Sequence, residues 1–178
     1  MQFHSKTVLT GLLVALCIVL GFIENFIPNP IFLVRLGLAN IPIILALFIF
    51  EDKRYVIYIA LLKGLLLPIL SGNFFIRLII GLPSTLMAAF FMLIIYKIFY
   101  KNITAISVAA VGGYVHIVVQ LFVIKLFFIK YLDIYKILPY FSVIGIITGI
   151  LTGILSLYTI KNINLRGKSV SENYFSKW

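Results

Sequence analysis

The residues able to do chemistry are few and scattered through apolar sequence. Glu24, Arg35, Asn40, Lys63, Asn73, Arg77, His116, Gln120 and Lys125 are the polar or ionisable groups set within or at the edge of long hydrophobic runs. Ionisable groups at such depth usually face a bundle interior, a cavity or a ligand. Arg35, Lys63, Arg77 and Lys125 stand against the single carboxylate Glu24. That excess suits binding of an anionic group, a carboxylate or phosphate. The amides of Asn40, Asn73 and Gln120 and the ring of His116 would read its polar edge. His116 and Gln120 are four residues apart, on one helix face.

Each residue also has a plainer reading. Arg77 and Lys125 suit snorkelling to headgroups, and Arg35 an interfacial anchor. Glu24 suits an ion pair with Arg35 or Lys63. His116 and Gln120 suit interhelical hydrogen-bonding glue. Lys63 lies midway along its run, too deep to snorkel easily, and Asn40 is the residue most expected to touch a ligand. Phe22, Phe26, Phe74 and Phe75 are the bulky candidates for shaping a pocket.

Catalysis finds little support. No Walker-type phosphate loop, His-Glu-x-x-His or cysteine–histidine cluster is present. The aspartates Asp52, Asp133 form no aspartate-rich repeat for magnesium and a diphosphate. The expectation is a protein that binds or transports, without cofactor or metal, and is not an enzyme.

The elements that must hold these residues are membrane helices. The chain has 178 residues, 63% hydrophobic and 11% charged, with mean hydropathy +1.18, far more apolar than a soluble domain. A net charge of +10 flanks apolar runs. It therefore indicates topology and contact with anionic lipid, not nucleic acid. Cys17, the only cysteine, sits inside a run and suits a buried packing thiol. The first run is too long for a signal-peptide core and lacks a small-residue cleavage site.

Six spans are expected: Thr7–Ile27, Leu36–Phe50, Tyr55–Leu70, Phe75–Ile98, Thr104–Ile129 and Leu138–Ile160. The second and third fall short of the about 20 residues a crossing helix needs. They either tilt little or end within the protein and line a cavity. Pro28-Asn29-Pro30, Glu51-Asp52-Lys53-Arg54 and Ser71-Gly72-Asn73 separate spans, and Pro83 should kink the fourth. Residues 1–160 form one membrane domain, and 161–178 a polar, basic, flexible tail. Lysine and arginine divide nine to five in favour of the side holding the N-terminus. By the positive-inside rule both termini lie in the cytoplasm of a multi-pass cell-membrane protein.

Two small-residue faces stand out. Gly145, Gly149 and Gly153 form one stripe, suited to close packing within the chain or, less readily, to another subunit. Gly11 and Ala15 share the same spacing in the first span and could dock a membrane partner.

These residues carry a family resemblance. Arg35-Leu-Gly-Leu-Ala-Asn40-Ile-Pro42, Gly11-x-x-x-Ala15, Gly72-Asn-Phe-Phe75, His116-x-x-x-Gln120 and Leu138-Pro139 before the glycine stripe occur in matching order over about residues 7 to 160. They resemble the substrate-binding S components of energy-coupling factor transporters, and among them the Gx transporter family, often labelled heptaprenyl diphosphate synthase component I. Two stretches depart from the family pattern: Glu51-Asp52-Lys53 and Leu82-Pro-Ser-Thr-Leu-Met87. The resemblance implies an all-α integral membrane protein, a six-helix transmembrane bundle with an outward pocket capped by loops. It implies a small-molecule substrate, a vitamin-like or cofactor precursor. It also implies a transmembrane coupling subunit docking at Gly11 and Ala15, and ATPase subunits driving uptake. The alternatives are an accessory membrane subunit of isoprenoid (heptaprenyl) diphosphate synthesis, or a scaffold in a membrane redox assembly.

Overall fold

A computed structural model describes residues 2–26, 35–70, 74–99, 103–131 and 133–166. Among them lie six α-helices and one 3₁₀ turn: α1 (Gln2–Glu24), the turn Leu38–Asn40, α2 (Ile41–Ile49), α3 (Arg54–Leu70), α4 (Phe74–Ile98), α5 (Ala105–Phe127) and α6 (Ile134–Arg166). Four of them (α1, α4, α5 and α6) are long and apolar enough to cross a bilayer. The fold is an all-helical membrane bundle.

The second expected span is the main difference. The chain reaches α2 through Gly37, whose φ of 94° is left-handed, and then a single 3₁₀ turn. The α-helix itself covers only nine residues, about 14 Å at 1.5 Å per residue. A left-handed residue favours glycine because a Cβ would crowd the next carbonyl. Ile41 to Leu47 are all buried. So α2 does not cross the membrane alone; it is an apolar plug held by α1, α3, α5 and α6. Lys53 closes its end, donating from Nζ to the Leu47 and Phe50 carbonyls, both at 2.7 Å. These are carbonyls a helix C-terminus leaves unpaired. The ammonium also lies 4.7 Å from the Tyr96 ring centroid.

Other differences are at element ends. α1 starts at Gln2 and gives way to a turn at Asn25–Phe26. α6 begins before Leu138 and continues past Ile160 to Arg166, so the expected tail begins as helix. α4 runs unbroken through Pro83. There the Ser84 hydroxyl donates to the Ile80 and Gly81 carbonyls, 2.8 and 3.0 Å away. The breaks at Pro28–Pro30 and Ser71–Asn73 lie outside the described residues.

Small residues set how closely the helices approach. A Cβ on Gly149 would sit 2.5 Å from the Ala109 carbonyl oxygen and 2.7 Å from the Ala110 Cα. One on Gly153 would sit 2.6 Å from the Ile106 Cα, and Gly145 meets the Gly113 carbonyl. The stripe thus joins α6 to α5, backbone against backbone. The apolar core falls into two clusters. The larger contains Cys17, α2, Ala60 and Ala88–Met92; the smaller contains Ile80, Ile117, Leu121, Ile124, Ile134 and Phe141. Between them on α4 stand Ser84 and Thr85, and just beyond the larger cluster on α1 and α3 come Glu24 and Lys63. The core is interrupted by a polar layer.

Candidate functional site

That layer is built on the left-handed entry to α2 at Gly37. Gly37 turns the chain so that its amide donates to Glu24 Oε1 at 2.6 Å. Two residues earlier, the Arg35 amide donates to Gln120 Oε1 at 2.8 Å. One turn later, Asn40 Oδ1 accepts from Lys63 Nζ at 2.5 Å. Helices α1, α5 and α3 each hold this segment through one side chain. Glu24, Asn40, Lys63, His116 and Gln120 are all buried. Burial of a polar group is tolerated when it is hydrogen-bonded, and for Glu24, Asn40, Lys63 and Gln120 these contacts meet that condition.

The hydrogen bonds assign the histidine tautomer. Gln120 Oε1 is taken by the Arg35 amide, so its amide nitrogen donates to His116 Nε2, 2.8 Å away. Nε2 is then the acceptor and the ring proton sits on Nδ1. That nitrogen is buried, with the Ser84 backbone as its neighbour.

Arg35, Lys63, Arg77, His116 and Gln120 line one cavity with Glu24, Gly37 and Thr85. Gly64 lets α4 pass close to Lys63: a Cβ there would lie 3.2 Å from the Leu82 Cα. At the rim, Arg35 Nη2 and Arg77 Nη1 both donate to Asn25 Oδ1, at 3.2 and 2.6 Å. Burial first, and then the neighbouring Arg77 charge, pulls the Arg35 guanidinium down to about 10, with Glu24 acting the other way. It remains cationic at neutral pH. The space among these groups is about 20 Å³, room for about one water.

Of the residues singled out from sequence, Arg35, Lys63, Arg77, His116 and Gln120 meet at this cavity. Asn40 adjoins it through Lys63. Asn73 lies outside the described residues. Lys125 is elsewhere, 5.5 Å from the Tyr135 ring centroid. Glu24 does not close an ion pair: among the described residues those within 4.0 Å are Arg54–Asp52 and Lys136–Asp133. Its carboxylate holds the Gly37 amide instead. Phe22, Phe26, Phe74 and Phe75 are exposed and do not shape the cavity. Gly11 and Ala15 lie on an exposed face of α1, with nothing within 4 Å of a Cβ at Gly11. Sequence reasoning missed Asn25 and Thr85. Asn25, directly after Glu24 and before a proline-bounded break, was the available signal. Thr85 lay in the span-four stretch that departs from the family pattern.

The chemistry on offer is recognition. Among the described residues no group of three or more histidine, cysteine, aspartate or glutamate side chains could hold a metal ion. Donors dominate: an ammonium, two guanidiniums, an imidazole N–H and a threonine hydroxyl. The one carboxylate is engaged by a backbone amide.

No curated protein and no solved structure matches the chain. Residues 13–159 match the family model described as heptaprenyl diphosphate synthase component I. That match spans most of the bundle, from α1 into α6, and the chain belongs to the heptaprenyl diphosphate synthase component I family.

Proposed function

We propose that this protein is a membrane-embedded substrate-capture subunit for a small anionic solute, a vitamin-like or cofactor precursor, energised by separate coupling and ATPase subunits. One observation carries the reading: behind a rim formed by Arg35 and Arg77, the buried Lys63 ammonium donates to a neutral amide oxygen beside a neutral histidine, and the cavity lining holds one carboxylate. A purely structural layer would be expected to give the buried Lys63 an anionic partner, because a buried charge without one is costly. An anionic solute would supply the missing balance.

The cavity admits about one water as it stands, so capture requires the site to widen. The segment from Arg35 to Asn40 is the natural moving part, since it is held by three side-chain contacts from different helices. In this reading the site faces outward and both termini are cytoplasmic, with Gly11 and Ala15 free to meet the coupling subunit.

The family name favours a second reading, an accessory membrane subunit of heptaprenyl diphosphate synthesis. Affinity purification from native membranes, with native mass spectrometry of the detergent-solubilised protein, separates the two. Capture predicts a retained small solute together with a coupling membrane protein and ATPases. Recovery of an aspartate-rich soluble prenyltransferase instead, with no retained solute, would replace the first reading by the second. A scaffold would retain neither solute nor synthase.

A further inference from the structure

The outward side of α5 carries a feature that the buried layer does not use. Val119, Phe122, Val123 and Leu126 recur at helical spacing and form one stripe. With Lys125 and Lys130 they line an open groove of about 620 Å³, within the about 300–1,000 Å³ of small-molecule sites. The opposite side of the helix packs inward through Ile117, Gln120, Leu121 and Ile124. Phe122 and Leu126 are 54% and 68% exposed, so the stripe faces out of the bundle.

The groove is graded along its length. Its apolar residues span about 11 Å of helix at about 1.5 Å per residue. Both lysines belong to the end where α5 stops, Lys125 in its last turn and Lys130 just beyond it. The lining holds no carboxylate. Asp133, the nearest acidic residue in the sequence, is engaged by Lys136 at 2.8 Å. Among the described residues neither Lys125 nor Lys130 has an acidic partner within 4.0 Å.

An apolar stripe topped by two cations matches an amphiphile with an anionic head. A partner helix matches it poorly: close packing in lipid uses small residues, whereas Phe122 and Leu126 stand out from this face. A zwitterionic head would bring its own cation close to both ammoniums.

We propose that this groove is a binding site for one anionic phospholipid. An acyl chain lies along the α5 stripe, and the headgroup phosphate is held between Lys125 and Lys130, which serve it as point charges. Gln120, on the inner side of the same stretch of α5, holds the Arg35 amide. The lipid therefore braces the helix that orients the buried layer. The site does not depend on what that layer binds.

The test uses the full chain in a neutral detergent, with native mass spectrometry following titration of phosphatidylglycerol, phosphatidylcholine of the same acyl chains, and farnesyl diphosphate. Phosphatidylglycerol should bind first and tightest. Lys125→Gln with Lys130→Gln should weaken it about twenty-fold and remove the preference over phosphatidylcholine, from about fivefold per lysine. Lys97→Gln with Lys161→Gln, which removes as much charge at exposed positions on other helices, should change it less than threefold. Phe122→Ala with Leu126→Ala should weaken both phospholipids several-fold and keep the preference. Without lipid, the lysine variant should melt within a few degrees of wild type, which separates lost binding from misfolding.

Equal weakening by the two lysine pairs would reduce the effect to net charge and overturn the site. No effect of the Phe122 and Leu126 pair would overturn the groove as the seat of the acyl chain. Tighter binding of farnesyl diphosphate than of phosphatidylglycerol would replace the phospholipid by an isoprenoid diphosphate. A photocrosslinking amino acid at position 122 in native membranes should label lipid, and a cross-linked protein in its place would overturn the lipid occupant.

Discussion

Replacing Asn40 by leucine should destabilise the bundle more than replacing its partner Lys63 by methionine, and the second change should rescue the first. The bond between them runs from α3 to the 3₁₀ turn before α2. Both ends are buried, Lys63 at 3% and Asn40 at 4% exposure. Asn40→Leu keeps the branched shape and loses no helix-capping bond, since the Asn40 side chain makes none. It strips a buried ammonium of this acceptor, at a cost of about 3 kcal/mol, the upper range for hydrogen bonds to charged groups. Lys63→Met leaves only a neutral amide oxygen unpaired, about 1–2 kcal/mol, and removes the cost of burying a charge. With both replaced, neither polar end remains, and the loss should fall to about 1 kcal/mol or less. The double variant is therefore about 2 kcal/mol more stable than Asn40→Leu alone. Unfolding in mixed micelles with increasing dodecyl sulfate, followed by circular dichroism, measures all four forms as a double-mutant cycle. Effects that add within about 0.5 kcal/mol would show that the two residues do not interact, and the assembly of the site around Lys63 would fall with them.

Gly149→Leu should cost several kcal/mol, because its side chain would enter the α5 backbone at Ala109 and Ala110; the same unfolding measurement checks it. Gly37→Ala forces a Cβ at φ 94° and 2.9 Å from Asn40 Nδ2. About 1–2 kcal/mol of stability should be lost in the same unfolding measurement, as Asn40 is pushed from Lys63. Gln120→Leu removes the acceptor of the Arg35 amide and the donor to His116 Nε2. Two groups at about 1–3 kcal/mol each should appear as lost stability, and trypsin should cleave faster after Arg35.

Much of the fold was legible because lipid imposes a simple demand. Every backbone polar group must be satisfied locally, so long apolar runs become helices, and charged hairpins such as Glu51–Arg54 separate them. What hydropathy cannot see is how a run begins. Leu36 to Phe50 reads as continuous apolar sequence, yet a left-handed Gly37 and a 3₁₀ turn come first and leave α2 with nine residues. Glycine permits the positive φ at that position, and the hydrogen bond from its amide to Glu24 holds it there. Lys63, His116 and Gln120 were legible because polar groups at such depth need a reason. Lys125 had the same composition signal but a different direction, toward Tyr135, and direction depends on helix rotation that period alone leaves open. Asn25 was hidden by its exposure: a polar residue near a helix end is ordinary until two arginines are seen to share it.

The shortness of α2 bears on how the protein is made. The apolar run from Leu36 to Phe50 falls short of the about 20 residues of a crossing segment, and its helical part covers nine. Its burial depends on α1, made before it, and on α3, α5 and α6, made after it. During synthesis α2 must therefore wait, shielded in a provisional position, until the last helix emerges. The wall completing its seat is translated more than eighty residues later. Truncation before α6 should consequently leave a chain that inserts but is recognised as unfinished, with α2 as the segment exposed to quality-control proteases.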